Sequence, residues 1–414
     1  MSIFKPFKSV RPKADKAHLV ASRPYDVLNS IEAREEVKGN DCSFLHVVKP
    51  EIDLPEGTDL YSQEVYDKAL SNYNKFIESG LLFEEDKPCF YVYRLIMDGR
   101  IQDGIVGCSA VEDYLNNAIK KHELTRADKE DDRKNHVRVT QMNAEPVFFT
   151  YPSHQKIDEI VKVTTQKPAQ LDFTTEDDIR HCVWVIDSEE TISEIQNTFE
   201  SIPSVYVADG HHRTAAAALV GEEMKKQNAN HNGSEEYNFF LSVLFPDAQL
   251  QIIDYNRVVK DLNGLSEEAF LEALKKSFEV TEMGSKEHRP SKKHQMGMYL
   301  GSTWYSLDAK EGTYDDNDPI KGLDVSVLSD CVLEPILGIT DLRRDKRIDF
   351  VGGIRGLGEL ERRVKNGEMK VAFAMYPVSL AELMNIADTG NIMPPKTTWF
   401  EPKLRSGLFI HKLS

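Results

Sequence analysis

Val205-Tyr-Val-Ala-Asp-Gly-His-His-Arg-Thr-Ala-Ala-Ala-Ala218 changes character twice within fourteen residues. Four apolar residues, Val205 to Ala208, read as a short buried strand. The polar turn Asp209-Gly210-His211-His212-Arg213 follows, and an alanine-rich helix is expected from about Thr214 to Gln227. A helix start presents N–H groups without intrahelical acceptors and the positive end of the dipole, which suits an anion. Gly210 lets backbone approach a ligand with no Cβ in the way. Arg213 carries a planar fork of donors matched to phosphate oxygens. His211 and His212 add donors whose charge changes near neutral pH, and Asp209 offers a carboxylate to a metal ion. The plainer alternative is a capped helix, with Asp209 as N-cap and the histidines as polar surface. Five polar or turn residues concentrated at one strand-to-helix junction favour a functional loop.

Outward from this loop, strands and helices alternate. Val147-Phe-Phe149, Val183-Trp-Val-Ile186 and Phe239 to Phe245 read as strands, and so does Phe44 to Val48. Ser62 to Ser79 reads as a helix stopped by Gly80. Cys89 to Met97, Asp98-Gly99 and the apolar stretch around Ile105-Val106 carry a hairpin signal. Val111 to about Arg138 reads as one helix. In the last third, helices are expected at Ser266–Phe278, Leu323–Leu337 and Leu357–Lys365, and strands at Ile348–Val351 and Val371–Tyr376. The class is α/β, or α+β with mixed sheets. With 414 residues the chain exceeds one ordinary core. Three parts are expected: 1–110, 111–260 containing the loop, and 261–414.

Composition narrows the function. Hydrophobic residues at 40% and charged residues at 29% describe a folded globular chain. A formal charge of −17 opposes general binding to nucleic acid, although a pocket for a small anion needs only a few cations. Cys42, Cys89, Cys108, Cys182 and Cys331 are scattered and never spaced as CxxC, which argues against a disulfide framework or a cysteine-built zinc site. The basic N-terminus lacks the apolar region of a signal peptide, and no apolar run approaches the roughly 18 residues of a membrane span. A cytoplasmic address is the expectation.

Three further stretches bear on chemistry. If Lys120 to Arg138 is helical, His122, Arg126, Lys129, Arg133 and His136 fall 4, 3, 4 and 3 residues apart and share a face. That face is either a solvated, salt-bridged surface or a cationic seam toward an anionic substrate. Phe350-Val-Gly-Gly-Ile-Arg-Gly-Leu-Gly-Glu359 repeats the strand, glycine turn and helix pattern, but matches neither a Walker loop nor a dinucleotide fingerprint. Met393-Pro-Pro-Lys-Thr-Thr-Trp-Phe-Glu-Pro-Lys-Leu-Arg405 is held extended by Pro394 and Pro395, with donors at Lys396, Thr397, Thr398, Lys403 and Arg405.

Taken together, these strings resemble a large, mainly bacterial family, domain of unknown function 1015. The resemblance runs from Phe4-Lys-Pro-Phe-Lys-Ser-Val-Arg-Pro12 and Arg23-Pro-Tyr-Asp-Val27, through His122-Glu-Leu-Thr-Arg126 and Ala208-Asp-Gly-His-His-Arg213, to Met393–Lys403. The loop is similar to the phosphate-binding loop of the ParB and sulfiredoxin superfamily, with Gly210, His212 and Arg213 matching its Gly-x-His-Arg pattern. His211 stands where sulfiredoxins have their reactive cysteine, so sulfiredoxin chemistry is not expected. The resemblance implies a ParB/sulfiredoxin-like phosphate-binding core with additional N- and C-terminal α/β parts.

That superfamily also includes free serine kinases, which phosphorylate L-serine with ADP, ATP or pyrophosphate as donor. The implied activity is therefore phosphoryl transfer to the hydroxyl of free L-serine. Gly210, His212, Arg213 and Thr214 would cradle donor phosphates, and Mg²⁺ would bridge donor oxygens through Asp209. The general base would be Asp26, Asp209 or His211. His122, Arg126, Arg133, Lys396, Thr397, Thr398 and Lys403 would hold the remaining phosphate or the serine carboxylate. The other readings are a ParB-like nucleotide-binding regulator, a non-catalytic sensor of a phosphorylated metabolite, and a phosphohydrolase.

Overall fold

The structure is a computed structural model that describes residues 2–125 and 127–414. The chain forms two compact units, one of residues 1–250 together with 402–414, the other of residues 251–401. The expected three-part division differs from this. Its boundary at 110/111 falls within the first unit, whose sheet draws strands from both sides of it. Its boundary at 260/261 cuts a strand of the second unit from the rest of that unit's sheet.

In the first unit the described residues build a mixed sheet of nine strands. They are β1 (Phe4–Lys5), β2 (Phe90–Met97), β3 (Arg100–Ala110), β4 (Ile119–Lys120), β5 (Val147–Tyr151), β6 (Leu171–Thr174), β7 (Arg180–Ile186), β8 (Val205–Asp209) and β9 (Phe239–Pro246). The order is β4-β8-β5-β9-β3-β2-β7-β6, with β1 paired to β3. β8 runs parallel to β4 and β9 parallel to β5, while the remaining pairs are antiparallel. The strand β8 therefore lies one place in from an edge. The short edge strand β4 pairs with the first two residues of β8, Val205 and Tyr206, so the chain that leaves β4 runs on in the direction of the loop.

The hairpin signal is realised: Met97 pairs with Arg100 around Asp98 and Gly99, which have φ of 51° and 78°. Two consecutive left-handed residues make the turn whose twist matches the flanking strands. Helix α1 (Gln63–Glu78) forms as its apolar spacing requires, and its Val65, Ala69, Tyr73 and Phe76 are buried. It packs on α2 (Ala127–Thr140), and α2 packs on α5 (His211–Gln227). Between them in sequence lie α3 (Gln155–Thr164) and α4 (Glu189–Ser201). Ala217 and Ala218 of α5 join Phe149, Phe199, Val207 and Leu244 in the core. Small side chains let this helix lie close on the sheet, which is the physical use of the alanine run.

Three local expectations change. Leu45–Val48 is a helical turn, not a strand, with Ser43 Oγ accepting from Leu45 N at 3.3 Å. Phe44, Leu45, Val47 and Val48 are buried with His46 half-buried between them, and so short a run has too little periodicity to separate helix from strand. The single helix expected over Val111–Arg138 is broken. Val111–Leu115 is helical, Asn117 takes φ 66°, and Ile119–Lys120 leaves to pair with β8 before α2 begins. Helix α5 starts at His211, three residues earlier than expected, so both histidines and Arg213 occupy its first turn.

The second unit is built on a six-stranded antiparallel sheet among its described residues. Its strands are β10 (Tyr255–Val259), β11 (Phe278–Gly284), β12 (Gln295–Leu300), β13 (Thr303–Ala309), β14 (Ile348–Gly352) and β15 (Val371–Ala374), in the order β11-β13-β12-β15-β10-β14. Helix α6 (Leu357–Lys365) buries Leu357, Leu360 and Val364 against Val258, Tyr299 and Trp304. The glycine-rich turn leads from β14 into α6, with Gly353 N donating to Asp254 O at 2.7 Å and Arg355 exposed. The fold is mixed α/β throughout, and no described helix is long and apolar enough to cross a membrane.

Candidate functional site

The turn between β8 and α5 depends on Gly210, which caps the helix at φ 94°, ψ 30°. Thr214 is fully buried, and its hydroxyl donates to the Gly210 carbonyl at 3.0 Å. That hydroxyl locks the turn rather than facing outward as a phosphate donor. Arg213 is also buried: Nη1 donates to Pro146 O at 2.5 Å and Nη2 to Asp209 Oδ2 at 3.2 Å. The expected outward-facing fork is therefore an internal brace between two strands' ends. Its aliphatic stem and guanidinium stay inside because Asp209 and Pro146 supply acceptors there.

The other oxygen of Asp209, Oδ1, lies 3.6 Å from Lys403 Nζ. Burial pushes the Asp209 carboxyl up, but Lys403, Arg213 and His211 outweigh it and hold the pKa down to about 2. Asp209 is thus a fixed anion at neutral pH. With both oxygens facing cations, it fits poorly as a Mg²⁺ ligand, since a metal would have to displace Lys403 or Arg213. It also fits poorly as a general base near pH 7.

Behind the turn lies a second layer of charge. Glu145 accepts from Tyr25 N and Ser406 Oγ, both at 3.0 Å, and its Oε2 is 3.8 Å from Arg133 Nη1. Burial raises the Glu145 pKa, and Arg213 and Arg133 pull against that rise. Arg133 also pairs with Asp132 at 2.9 Å and stacks over Tyr25, its Cζ 4.0 Å from the ring centroid. Tyr25 is buried and Asp26, the next residue, is exposed. The Asp26 charge acts on both Arg213 and Glu145. The N-terminal Arg23–Val27 string, the loop and the last thirteen residues therefore meet at one place within the first unit.

The cationic seam does not form as expected. His122 precedes α2, and Arg126 lies outside the described residues. Arg133 and His136 are buried, with His136 Nε2 donating to Val47 O at 2.9 Å. Spacing alone cannot tell a buried, paired cation from a solvent-facing one. His122 instead sits against the loop, its ring 4.5 Å from that of His211 and perpendicular to it. Burial and the neighbouring imidazole keep His122 well below its ordinary pKa. Burial likewise lowers His211 to about 4, against the pull of Asp209.

The chain belongs to the DUF1015 family. The family model, described as a protein of unknown function, matches residues 4–326. This match takes in the Arg23–Val27, His122–Arg126 and DGHHR strings of the DUF1015 chain. No curated protein matches it. Among solved structures, it is similar to SbnI with a C-terminal truncation from Staphylococcus aureus, at 12% identity and TM-score 0.39 over 74% of this chain and 87% of that one. It is also similar to a conserved hypothetical protein from Pyrococcus furiosus, at 14% identity and TM-score 0.36 over 74% and 95%. A free serine kinase in complex with AMP is similar at 13% identity and TM-score 0.37 over 74% and 92%.

The C-terminal string is divided between the units. Lys403 belongs to the first and pairs with Asp209. Lys396, Thr397 and Thr398 belong to the second. There Lys396 has φ 60° and lies 5.7 Å from the Tyr255 ring centroid, and Thr397 Oγ1 donates to Pro394 O at 2.6 Å. Glu145 and Tyr25 are site residues that sequence reasoning did not single out. Tyr25 was inside a quoted string. Glu145 carries only a weak signal, a carboxylate placed directly before Pro146 and a buried strand.

Proposed function

We propose that the protein is a small-molecule phosphotransferase that moves a phosphoryl group from pyrophosphate, ADP or ATP to the hydroxyl of free L-serine, giving O-phosphoserine. The observation that supports it best is the charge at the start of α5. The first turn carries His211, His212 and Arg213 and no acidic residue. Burial keeps His211 neutral at pH 7, while the Arg213 cation opposes the positive end of the helix dipole. Asp209 offsets part of that charge, and an anionic ligand would offset the rest.

In this reading His212, the first-turn N–H groups and Lys403 receive the donor phosphate. Arg213 holds Asp209 and the end of β5 in register. Asp26 is the base, because it is exposed whereas His211 is buried and Asp209 is ion-paired. The serine Oγ attacks the terminal phosphorus, its proton passes to Asp26, and the bond to the departing phosphate breaks. Charge on the donor is neutralised by Lys403 and the helix end, and no step is assigned to a metal held by Asp209.

Phosphorus NMR of the protein with L-serine and each donor in turn tests the reading. Phosphoserine is expected with one donor. His212→Ala and Lys403→Met are expected to cut its rate at least about tenfold, 1.4 kcal/mol in the barrier. Donor loss without phosphoserine would overturn the acceptor, and no change with any donor would overturn the activity.

A further inference from the structure

One ligand atom from each of His122, Glu123 and His211 lies within 4.8 Å of the other two. We propose that these three residues form a binding site for one divalent transition-metal ion of the Zn²⁺ type. Two imidazoles and a carboxylate are the donor set that such ions favour over Mg²⁺, which prefers oxygen. Two ligands at about 2.1 Å from an ion in tetrahedral geometry stand about 3.4 Å apart. Side-chain movements of about 1 Å or less at each ligand atom therefore close the site.

Two observations beyond proximity point to a ligand. His211 Nε2 is buried and has no hydrogen-bond partner among the described residues. Leaving such an atom unsatisfied is costly, and a metal ion is a partner that would satisfy it. His122 hydrogen-bonds the backbone of Val207, which sets its tautomer and leaves its other ring nitrogen as a lone-pair donor. A ligand histidine held by a backbone carbonyl through its second nitrogen is the usual support of a metal site.

The chain places these groups with little freedom. His122 and Glu123 follow the edge strand β4 after Lys121, β4 pairs with β8, and His211 opens the helix that β8 leads into. Glu123, half-buried, supplies the carboxylate of the set. Three protein donors leave at least one coordination position for an oxygen from outside the chain. The proposal does not require phosphoryl transfer, and its test uses neither serine nor a phosphate donor.

The full chain, prepared without a histidine tag and stripped with chelator, would be titrated with Co²⁺ and followed by its visible absorption, then competed with Zn²⁺. One ion per chain is expected. Glu123→Gln, at a half-exposed position, should weaken binding about 10–100-fold, the scale of effects on metal-site support. His122→Asn should do the same. Zn²⁺ should raise the melting temperature of the wild type, and that of Glu123→Gln by less at the same concentration, a readout that holds even if a His211 variant fails to fold. Absence of saturation near one equivalent would overturn the site. Unchanged affinity in both variants would overturn it as well.

Discussion

Replacing Gly210 by alanine separates the two things this residue does. Its backbone is left-handed, at φ 94° and ψ 30°, which costs a residue with a Cβ about 1–2 kcal/mol. The new methyl would also lie 3.2 Å from Cζ, Nε and Nη2 of Arg213. A comfortable contact is about 3.5–4.0 Å, so the guanidinium has to retreat. It donates to Pro146 O at 2.5 Å and Asp209 Oδ2 at 3.2 Å, and losing one charge-assisted bond costs about 1.5–3 kcal/mol. The expected total is about 2.5–5 kcal/mol. Gly57→Ala is the matched control: its φ is 88° and its added methyl meets nothing within 4 Å. It should lose only the backbone part. Urea unfolding of both variants gives the difference, and calorimetric titration with pyrophosphate gives the effect on the loop. Gly210→Ala should bind about tenfold more weakly, or 1.4 kcal/mol, and Gly57→Ala as the wild type. Equal stability losses in the two variants would refute the contact with Arg213. Unchanged pyrophosphate binding in Gly210→Ala would refute the link between that brace and the anion.

Lys403→Met keeps the stem and removes the charge beside Asp209. Pyrophosphate affinity should fall about tenfold, and its dependence on salt concentration should become shallower, as read by titration at two ionic strengths. Glu145→Gln leaves the buried Arg133 and Arg213 short of an anion and should destabilise the first unit by about 3 kcal/mol, measured by urea unfolding. Stability should also fall with acid. Burial lowers His136 to about 4 and His181 to about 3, so below about pH 6.5 the unfolded chain binds protons that the folded chain refuses. The contribution is complete above pH 6.5 and is lost as pH falls toward those values. For His136 that is about 3 kcal/mol at 1.36 kcal/mol per unit. Urea midpoints between pH 7 and 4.5 should decline less steeply in His136→Gln, and an unchanged slope would show that His136 is not the titrating group.

Local physics, and hence the sequence by itself, determined the elements whose signals are complete within a few residues. The Asp98-Gly99 hairpin, the amphipathic helix Gln63–Glu78 and the passage from Val205 through Gly210 into an alanine-rich helix are of this kind. Each is set by backbone freedom or by apolar spacing, which neighbours far away do not alter. The family strings were legible for the same reason.

Tertiary structure decided everything that depended on which groups meet. Leu45–Val48 became helical because so short and mostly buried a run fits either element. The helix expected through Val111–Arg138 broke because Ile119 and Lys120 pair with the edge of the sheet, a long-range gain invisible to local spacing. Arg133 turned inward because Asp132, Glu145 and the Tyr25 ring were there to receive it. Arg213 became a brace for the same reason, with Asp209 and Pro146 O as its acceptors. Lys403 met Asp209, 194 positions away in sequence, because the chain returns to the first unit at Pro402. A charge announces itself in sequence, but whether it faces solvent, a ligand or a buried partner depends on the counter-charge that folding brings within a few ångströms.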